Sequence, residues 1–435
     1  MKEINYLEKV TVLKDDFIKA ICDFIKIPSV LEEDLSNKEA PFGKGVRDSL
    51  DYILDLAKSF GFKTRNIDNV CGEVEYGEGD KILGVLCHVD VVPAEGNWTY
   101  PPFSAKVVGD TIYGRGTVDD KGPAISSLFA LKLLKDNGIK PKWRIRLIFG
   151  CDEETSMRGV ARYLETEEMP TFGISPDADY PIIYGEKGIA SIDIIGKNED
   201  SDLEFVKGGK RYNIVCDKVN LKYKGKDLEF NGKPAHAMEP RNGDNAILKA
   251  ADYLKDKSSN GLIKFISKYL NDSRLNDMGL AVYDKEMKDL TCNVAIIDID
   301  KDHSRLGLNF RYPLLSEMAN LYKVFKEKAA EFGLEVKVLS DTPPHYIDPN
   351  CSEIKILHDA YIKYTDDDKT PLLTIGGGTY ARVLKKGVAF GMMFPSDPDL
   401  CHQADERISI NKMLISTAIL SKAMENLTKE WDFVE

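Results

Sequence analysis

Short β-branched runs alternate with helical stretches along much of this chain. The alternation fills the first 186 residues, stops, and resumes near the end. Residues 44–60 place Val46, Leu50, Ile53, Leu54 and Ala57 at helical spacing, and Gly61 stops the pattern as a helix C-terminus should. Runs at 82–92 and 143–149 read as strands, with a helix over 124–134 between them. This βαβ rhythm predicts an α/β fold with a mainly parallel sheet and helices on both faces. After about Gly188 the pattern changes: amphipathic helices over 244–254 and 316–332 lie among alternating strands at 189–195 and 293–299. We therefore expect an α+β domain at 188–345, inserted into a discontinuous first domain of 1–187 and 346–435. Within the last segment a helix is expected over 352–364, strands at 372–375 and 387–394, and a closing helix from Lys412. At 435 residues the chain exceeds one compact core, which agrees with two domains.

The polar residues fall where such a fold does its chemistry. His88-Val89-Asp90 closes the first strand, and on an extended backbone His88 and Asp90 share a face while Cys87 points away. Asp119-Asp120 ends the turn that begins at Gly114, just before a helix, and Asp152-Glu153-Glu154 follows the strand at 143–149. Asp177 and Asp179 follow a short run at 171–175, and His402 comes soon after the strand at 387–394. Ligands of open α/β sheets bind at the carboxyl ends of the strands, and these five distant stretches all map to that edge. Each has a bland reading: a surface H-x-D pair, ordinary turn chemistry at Asp-Asp, a solvated acidic run in a chain with 71 Asp and Glu. For all five to be bland, every coincidence must hold at once. His303, His345 and His358, read as lying without convergent carboxylates, are left structural.

Composition narrows the classes. A net charge of −12 with mixed signs argues against duplex DNA or an anionic membrane as partner. The stretch after Met1 reads as amphipathic rather than as an apolar signal core, and no apolar run approaches bilayer length. The eight cysteines form no C-x-x-C pair, so they read as reduced thiols of a cytoplasmic protein, and any metal must be held by His and carboxylate. Two imidazoles with several carboxylates suit zinc, manganese or cobalt.

The runs Cys87 to Pro93, Gly114 to Pro123, Asp152 to Thr155 and Cys401 to Glu406 are similar to those of a superfamily of two-metal amidohydrolases. It contains aminoacylases, carnosinases and succinyl-diaminopimelate desuccinylases. Phe172 to Pro181 and Gly232 to His236 resemble the PepV-type dipeptidases within it. The resemblance runs nearly end to end, although the inserted segment is shorter than a PepV-type lid and longer than the small module of dimeric relatives. It implies that His88 and Asp177 hold one divalent ion, Glu154 and His402 the other, and that Asp119 bridges them. A shared carboxylate suits ions about 3.5–4 Å apart. It implies that Asp90 orients His88, that Glu153 is the general base for a water bridging the ions, and that the Asp119-Asp120 bond is cis. It further implies that His236 stabilises the tetrahedral oxyanion and Arg311 clamps a carboxylate. Gly377 and Gly378, in the Gly376 to Thr379 loop between a strand and a helix, would face an anion with their amides. Without the resemblance, Arg311 reads as a surface arginine and His236 equally as a surface histidine. Asn213 is a further candidate near the oxyanion. The Lys-Ser/Thr continuation of a phosphate loop is absent.

The expected activity is that of a metal-dependent dipeptidase acting on dipeptides with a free N-terminus, with two divalent ions, zinc first and manganese or cobalt as alternatives. The expected partner is a small peptide substrate, with no nucleic acid and no membrane, on a monomer rather than a dimer. An N-acyl amino acid deacylase or desuccinylase would use the same carbonyl chemistry. A non-catalytic metal or peptide binding protein on the same fold would be expected to have lost a ligand or the base. Glu153, Asp119 and His402 are all present.

Overall fold

In the computed structural model, residues 3–429 are described. The residues at the two ends of the expected first domain, 1–2 and 430–435, lie outside them. The chain divides into two compact units. The first takes the chain up to Tyr184, Ile347–Leu373 and everything from Thr379; the second is Gly185–Tyr346 with Thr374–Gly378. The short segment 374–378 thus goes with the second unit, whereas the sequence reading placed all of 346–435 with the first.

The first unit is built on a sheet of β1 (Lys63–Ile67), β2 (Cys71–Tyr76), β3 (Ile82–His88), β4 (Arg144–Gly150), β5 (Phe172–Ser175) and β6 (Gly387–Ala389). Their spatial order is β1-β2-β4-β3-β5-β6. The pairs β4–β3, β3–β5 and β5–β6 are parallel, while β1 and β2 form an antiparallel edge. Every residue of β3 is buried, as expected for a parallel strand covered on both faces. The helix α1 (Lys44–Ser59) buries Val46, Leu50, Ile53, Leu54 and Ala57, the stripe its spacing predicts. The helix α2 (Lys121–Asp136) is buried almost all round, from Lys121 to Leu134, and packs against α3 (Ile410–Leu427).

Two expected strands are shorter in the structure. The run at 82–92 leaves the sheet after His88, whose backbone N–H donates to the Asp120 carboxylate at 2.7 Å. The run at 387–394 breaks into Gly387–Ala389 and Met392–Met393. Gly391 between them has φ of +90°, and a Cβ there would lie 2.5 Å from the Tyr180 ring, so the chain turns at a position only glycine fits.

The second unit carries a seven-stranded antiparallel sheet in the order Lys226–Asn231, Lys218–Tyr223, Leu203–Gly208, Thr291–Ile299, Ser304–Tyr312, Gly188–Gly196, Glu335–Thr342. Helices Ala246–Leu254, Gly261–Tyr269 and Met318–Ala330 turn apolar faces toward it. Ile192, Val219, Ile263, Leu308 and Phe325 lie in the resulting core. Among the described residues, no helix is long and apolar enough to cross a membrane.

Candidate metal centre

Four loops at the carboxyl ends of the strands of the first unit bring imidazoles and carboxylates together. His88 ends β3, fully buried, with its Nε2 2.9 Å from Asp119 Oδ1 and 3.3 Å from Asp177 Oδ2. His402, half exposed, has its Nε2 3.0 Å from Asp119 Oδ2 and 3.0 Å from Glu154 Oε2. Two groups able to hold an ion result, His88–Asp119–Asp177 and Asp119–Glu154–His402, with Asp119 in both and one of its oxygens facing each imidazole. The Asp119-Asp120 peptide bond is cis.

The donor atoms fit a divalent ion on two grounds. Nitrogen and oxygen donors around a tetrahedral zinc lie about 3.3 Å from one another, and the four contacts above span 2.9–3.3 Å. In addition, His88 Nε2, Asp119 Oδ1 and Glu154 Oε1 are buried without a hydrogen-bond partner. Buried polar atoms are rarely left so, and an ion is the group that would satisfy all three.

The electrostatics show a surplus of negative charge. Asp119 and Glu154 raise the His402 imidazole to about 11. Burial opposes charge on His88, but Asp119, Asp177 and Asp90 together hold it well above the usual imidazole range. Burial, with Asp119 nearby, lifts Glu154 to about 7. Burial is also the main cause that pushes Glu153 well above the carboxylate range, with Asp177, Glu154 and Asp119 adding to it. A site where like charges raise one another is one that positive ions stabilise.

Asp90 contacts more than the imidazole that it is expected to orient. His88 Nδ1 lies 3.0 Å from the Asp90 main-chain oxygen and 3.5 Å from its carboxylate. Either contact favours the proton on Nδ1 and leaves Nε2 as the donor to an ion. The carboxylate itself accepts the backbone N–H of Glu153 and of Glu154, each at 3.2 Å. Asp90 thus staples the segment that carries both acids to the end of β3. Asp90→Asn, which turns an amide N–H₂ toward one of those two donors, is expected to weaken metal affinity and activity about 10–100-fold. Titration with a chromophoric chelator measures it.

Several expected residues stand outside the cluster. Asp179 is exposed, on a two-residue strand paired with Met393. Asp120, not assigned a role from sequence, is fully buried and fixes the His88 backbone. His303 does have carboxylates near it, at 2.8 Å from Asp300 and 3.8 Å from Asp298, because a tight turn folds the acidic run 298–302 back on it. That corrects the reading of His303 as lacking them.

In the second unit, His236 is exposed on a segment bridged to Ile214, and its Nδ1 accepts the Met238 N–H at 3.2 Å. The Asn213 carbonyl accepts the Ala237 N–H at 2.8 Å, so Asn213 and His236 are neighbours through the main chain. Asn293, missed from sequence, donates to the Tyr212 and Ile214 carbonyls and shapes this stretch. Arg311 is buried, not on the surface, with Nε on Asn309 at 2.9 Å and Nη1 on the Gly376 carbonyl at 2.9 Å. The helix expected after the glycine loop is a four-residue 3-10 turn, Tyr380–Val383, capped by Thr379. So short an element has little dipole, and the reading of Gly377 and Gly378 as a helix-backed anion loop loses that support.

Residues 84–426 match the peptidase family M20/M25/M40. A Staphylococcus aureus protein (strain bovine RF122 / ET3-1) named "Putative dipeptidase SAB1611c" is 37% identical, over 97% of this chain and 99% of that one. Among solved structures, human carnosine dipeptidase 1 aligns over 97% of this chain and 98% of its own, with 12% identity and a TM-score of 0.65. The Bacillus subtilis YXEP protein, titled a dinuclear metal binding peptidase, aligns over 96% and 99%, with 10% identity and a TM-score of 0.55. The chain belongs to the peptidase family M20/M25/M40. It is a metallopeptidase of the hydrolase class, and the two solved structures share its fold.

Proposed function

We propose that this protein is a dipeptidase that hydrolyses the amide bond of dipeptides with a free N-terminus, using two divalent ions. The observation that carries the two-ion reading is the division of Asp119, with one oxygen toward His88 and the other toward His402. His88 and Asp177 would hold one ion, Glu154 and His402 the other, with Asp119 on both. Zinc suits this nitrogen and carboxylate set, and manganese or cobalt are the alternatives. When bound, the ions would supply Lewis acidity, polarising the scissile carbonyl and making water a competent nucleophile near neutral pH.

The chain's own residues do the rest. Glu153 belongs to neither ligand group, yet its carboxyl group feels His88, Asp177, Glu154 and Asp119. It would take a proton from the attacking water and pass it to the leaving amine. Asp90 holds Glu153 and Glu154 in register by their backbone. A neutral His236 whose Nδ1 accepts from Met238 carries its proton on Nε2, as a donor to an oxyanion requires. On this reading His236→Ala keeps its fold and metal content while kcat falls about 10²–10³-fold, with a smaller effect on KM. Arg311, Asn213 and the 376–378 loop are proposed as substrate contacts. One chain carries both the ligand groups and His236, and a monomer is proposed as the active form. Mixing inactive His236→Ala with inactive Glu153→Gln should restore nothing. Eight cysteines, all free thiols, support a reducing, cytoplasmic setting.

The name of the 37%-identical relative supports dipeptides as substrate. The test is a metal-loaded sample assayed on dipeptides, tripeptides and N-acyl amino acids. Turnover of free dipeptides, with little on the other two classes, is expected. Preferential release of an acyl group from N-acyl amino acids would replace the dipeptidase reading with a deacylase.

A further inference from the structure

Glu406 is fully buried, and its side chain is the hub of the turn that delivers Asp119. Its carboxylate accepts Arg115 Nη1 at 2.6 Å, the Gly116 N–H at 3.0 Å, the Val118 N–H at 2.8 Å and the Asp119 N–H at 3.3 Å. Its backbone carbonyl accepts the Gly114 N–H at 2.9 Å. The N–H groups of Gly116, Val118 and Asp119 converge on one anion in a turn where Gly116 has φ of +90°. Arg115 supplies the cation that makes a buried carboxylate tolerable, and is itself 1% exposed.

Glu406 lies four residues after His402. His402 and Asp405 both occupy the left-handed region, at φ of +63° and +59°. That region is uncommon for residues other than glycine, though His and Asp enter it more readily than most, and tertiary contacts hold the segment there. Those contacts are visible: the Asp405 carboxylate accepts from Thr99 N–H at 2.7 Å and Oγ1 at 2.8 Å, Glu406 plugs the Asp119 turn, and Arg407–Ser409 pairs with Thr111–Tyr113. Apart from the shared Asp119, the other ligand group is held by different means. His88 is fully buried on β3, and Asp177 follows β5, the strand paired beside it.

We propose that Glu406 is a positioning residue that ties the Asp119 turn to the His402 segment, and so sets the affinity of the Asp119–Glu154–His402 group more than that of His88–Asp119–Asp177. The inference rests on the two-ion reading given above. Glu406→Gln keeps the size of the side chain but removes its charge and presents an N–H₂ to backbone donors. Removing such a partner of a metal ligand typically costs 10–100-fold.

The experiment compares the full-length wild-type protein with Glu406→Gln by competition for zinc with a chromophoric chelator, and by the visible spectrum after cobalt(II) substitution. Wild type is expected to bind two ions. In the variant, one ion should be weakened about 10–100-fold, the other by much less, and the cobalt bands of the weakened site should change. A variant with a lower melting temperature but two ions at wild-type affinity and an unchanged cobalt spectrum would show a purely structural role and overturn the proposal. Equal weakening of both ions would overturn it as well. Should Glu406→Gln not fold, Glu406→Asp is read by the same criteria, since it retains the charge but withdraws it from the turn. A wild-type protein that binds no ions would sink the two-ion reading itself, an outcome distinct from failure of the Glu406 assignment alone.

Discussion

Glu153→Gln is expected to bind both ions as the wild type does, while kcat falls about 10²–10⁴-fold, roughly 3–5 kcal/mol of barrier. The side chain stands outside both ligand groups, so the change leaves every proposed metal donor in place. Its backbone N–H remains on Asp90, so the segment keeps its position. What is lost is a group that can accept a proton from water and return it to the leaving nitrogen. An amide of the same shape does neither. Burial and three neighbouring carboxylates raise the Glu153 carboxyl, and bound cations would draw it back toward neutrality, where a base is most effective. Elemental analysis with steady-state kinetics checks this. Loss of metal from Glu153→Gln, together with retention in Glu154→Gln, would exchange the two roles.

Asp119→Ala is expected to reduce activity to the level of the chelator-treated wild type, well beyond the roughly 10–100-fold cost of losing an outer hydrogen-bond partner. Both oxygens of Asp119 face an imidazole, so its removal takes a donor from each group at once. It also leaves His88 and His402 without the carboxylate that heads the causes of the raised His402. The wild type stripped by chelator should recover on addition of zinc, manganese or cobalt, and Asp119→Ala should not. Full activity in a sample shown by elemental analysis to be metal-free would end the metal reading altogether.

Some of this was legible in the sequence because it depends on residue type and local period. The spacing of Val46, Leu50, Ile53, Leu54 and Ala57 identified α1, whose apolar stripe is the one buried. The all-apolar run before His88 marked a strand covered on both faces. The proposed donors His88, Asp119, Glu154, Asp177 and His402 are short-range features, each standing at or just past the end of a strand or turn. Elsewhere the local pattern misled. The run 387–394 is apolar enough for one strand, yet Tyr180 packs where a Cβ of residue 391 would be, and the chain turns there. Arg311 looks like a surface arginine until Asn309 and Gly376 are seen to hold it.

The class of fold and the chemical character of the site were thus readable along the chain, since strand period, helix period and donor type are properties of neighbouring residues. Which acid serves which partner was not. Asp90 turned out to hold the Glu153–Glu154 backbone as well as flanking His88, and Glu406 closes on Arg115 across 291 residues of chain. Contacts at that separation depend on the path of the whole backbone, and no local periodicity encodes them. A buried carboxylate is stable only where that path brings enough donors to it, and here Arg115 and the N–H groups of Gly116, Val118 and Asp119 meet Glu406.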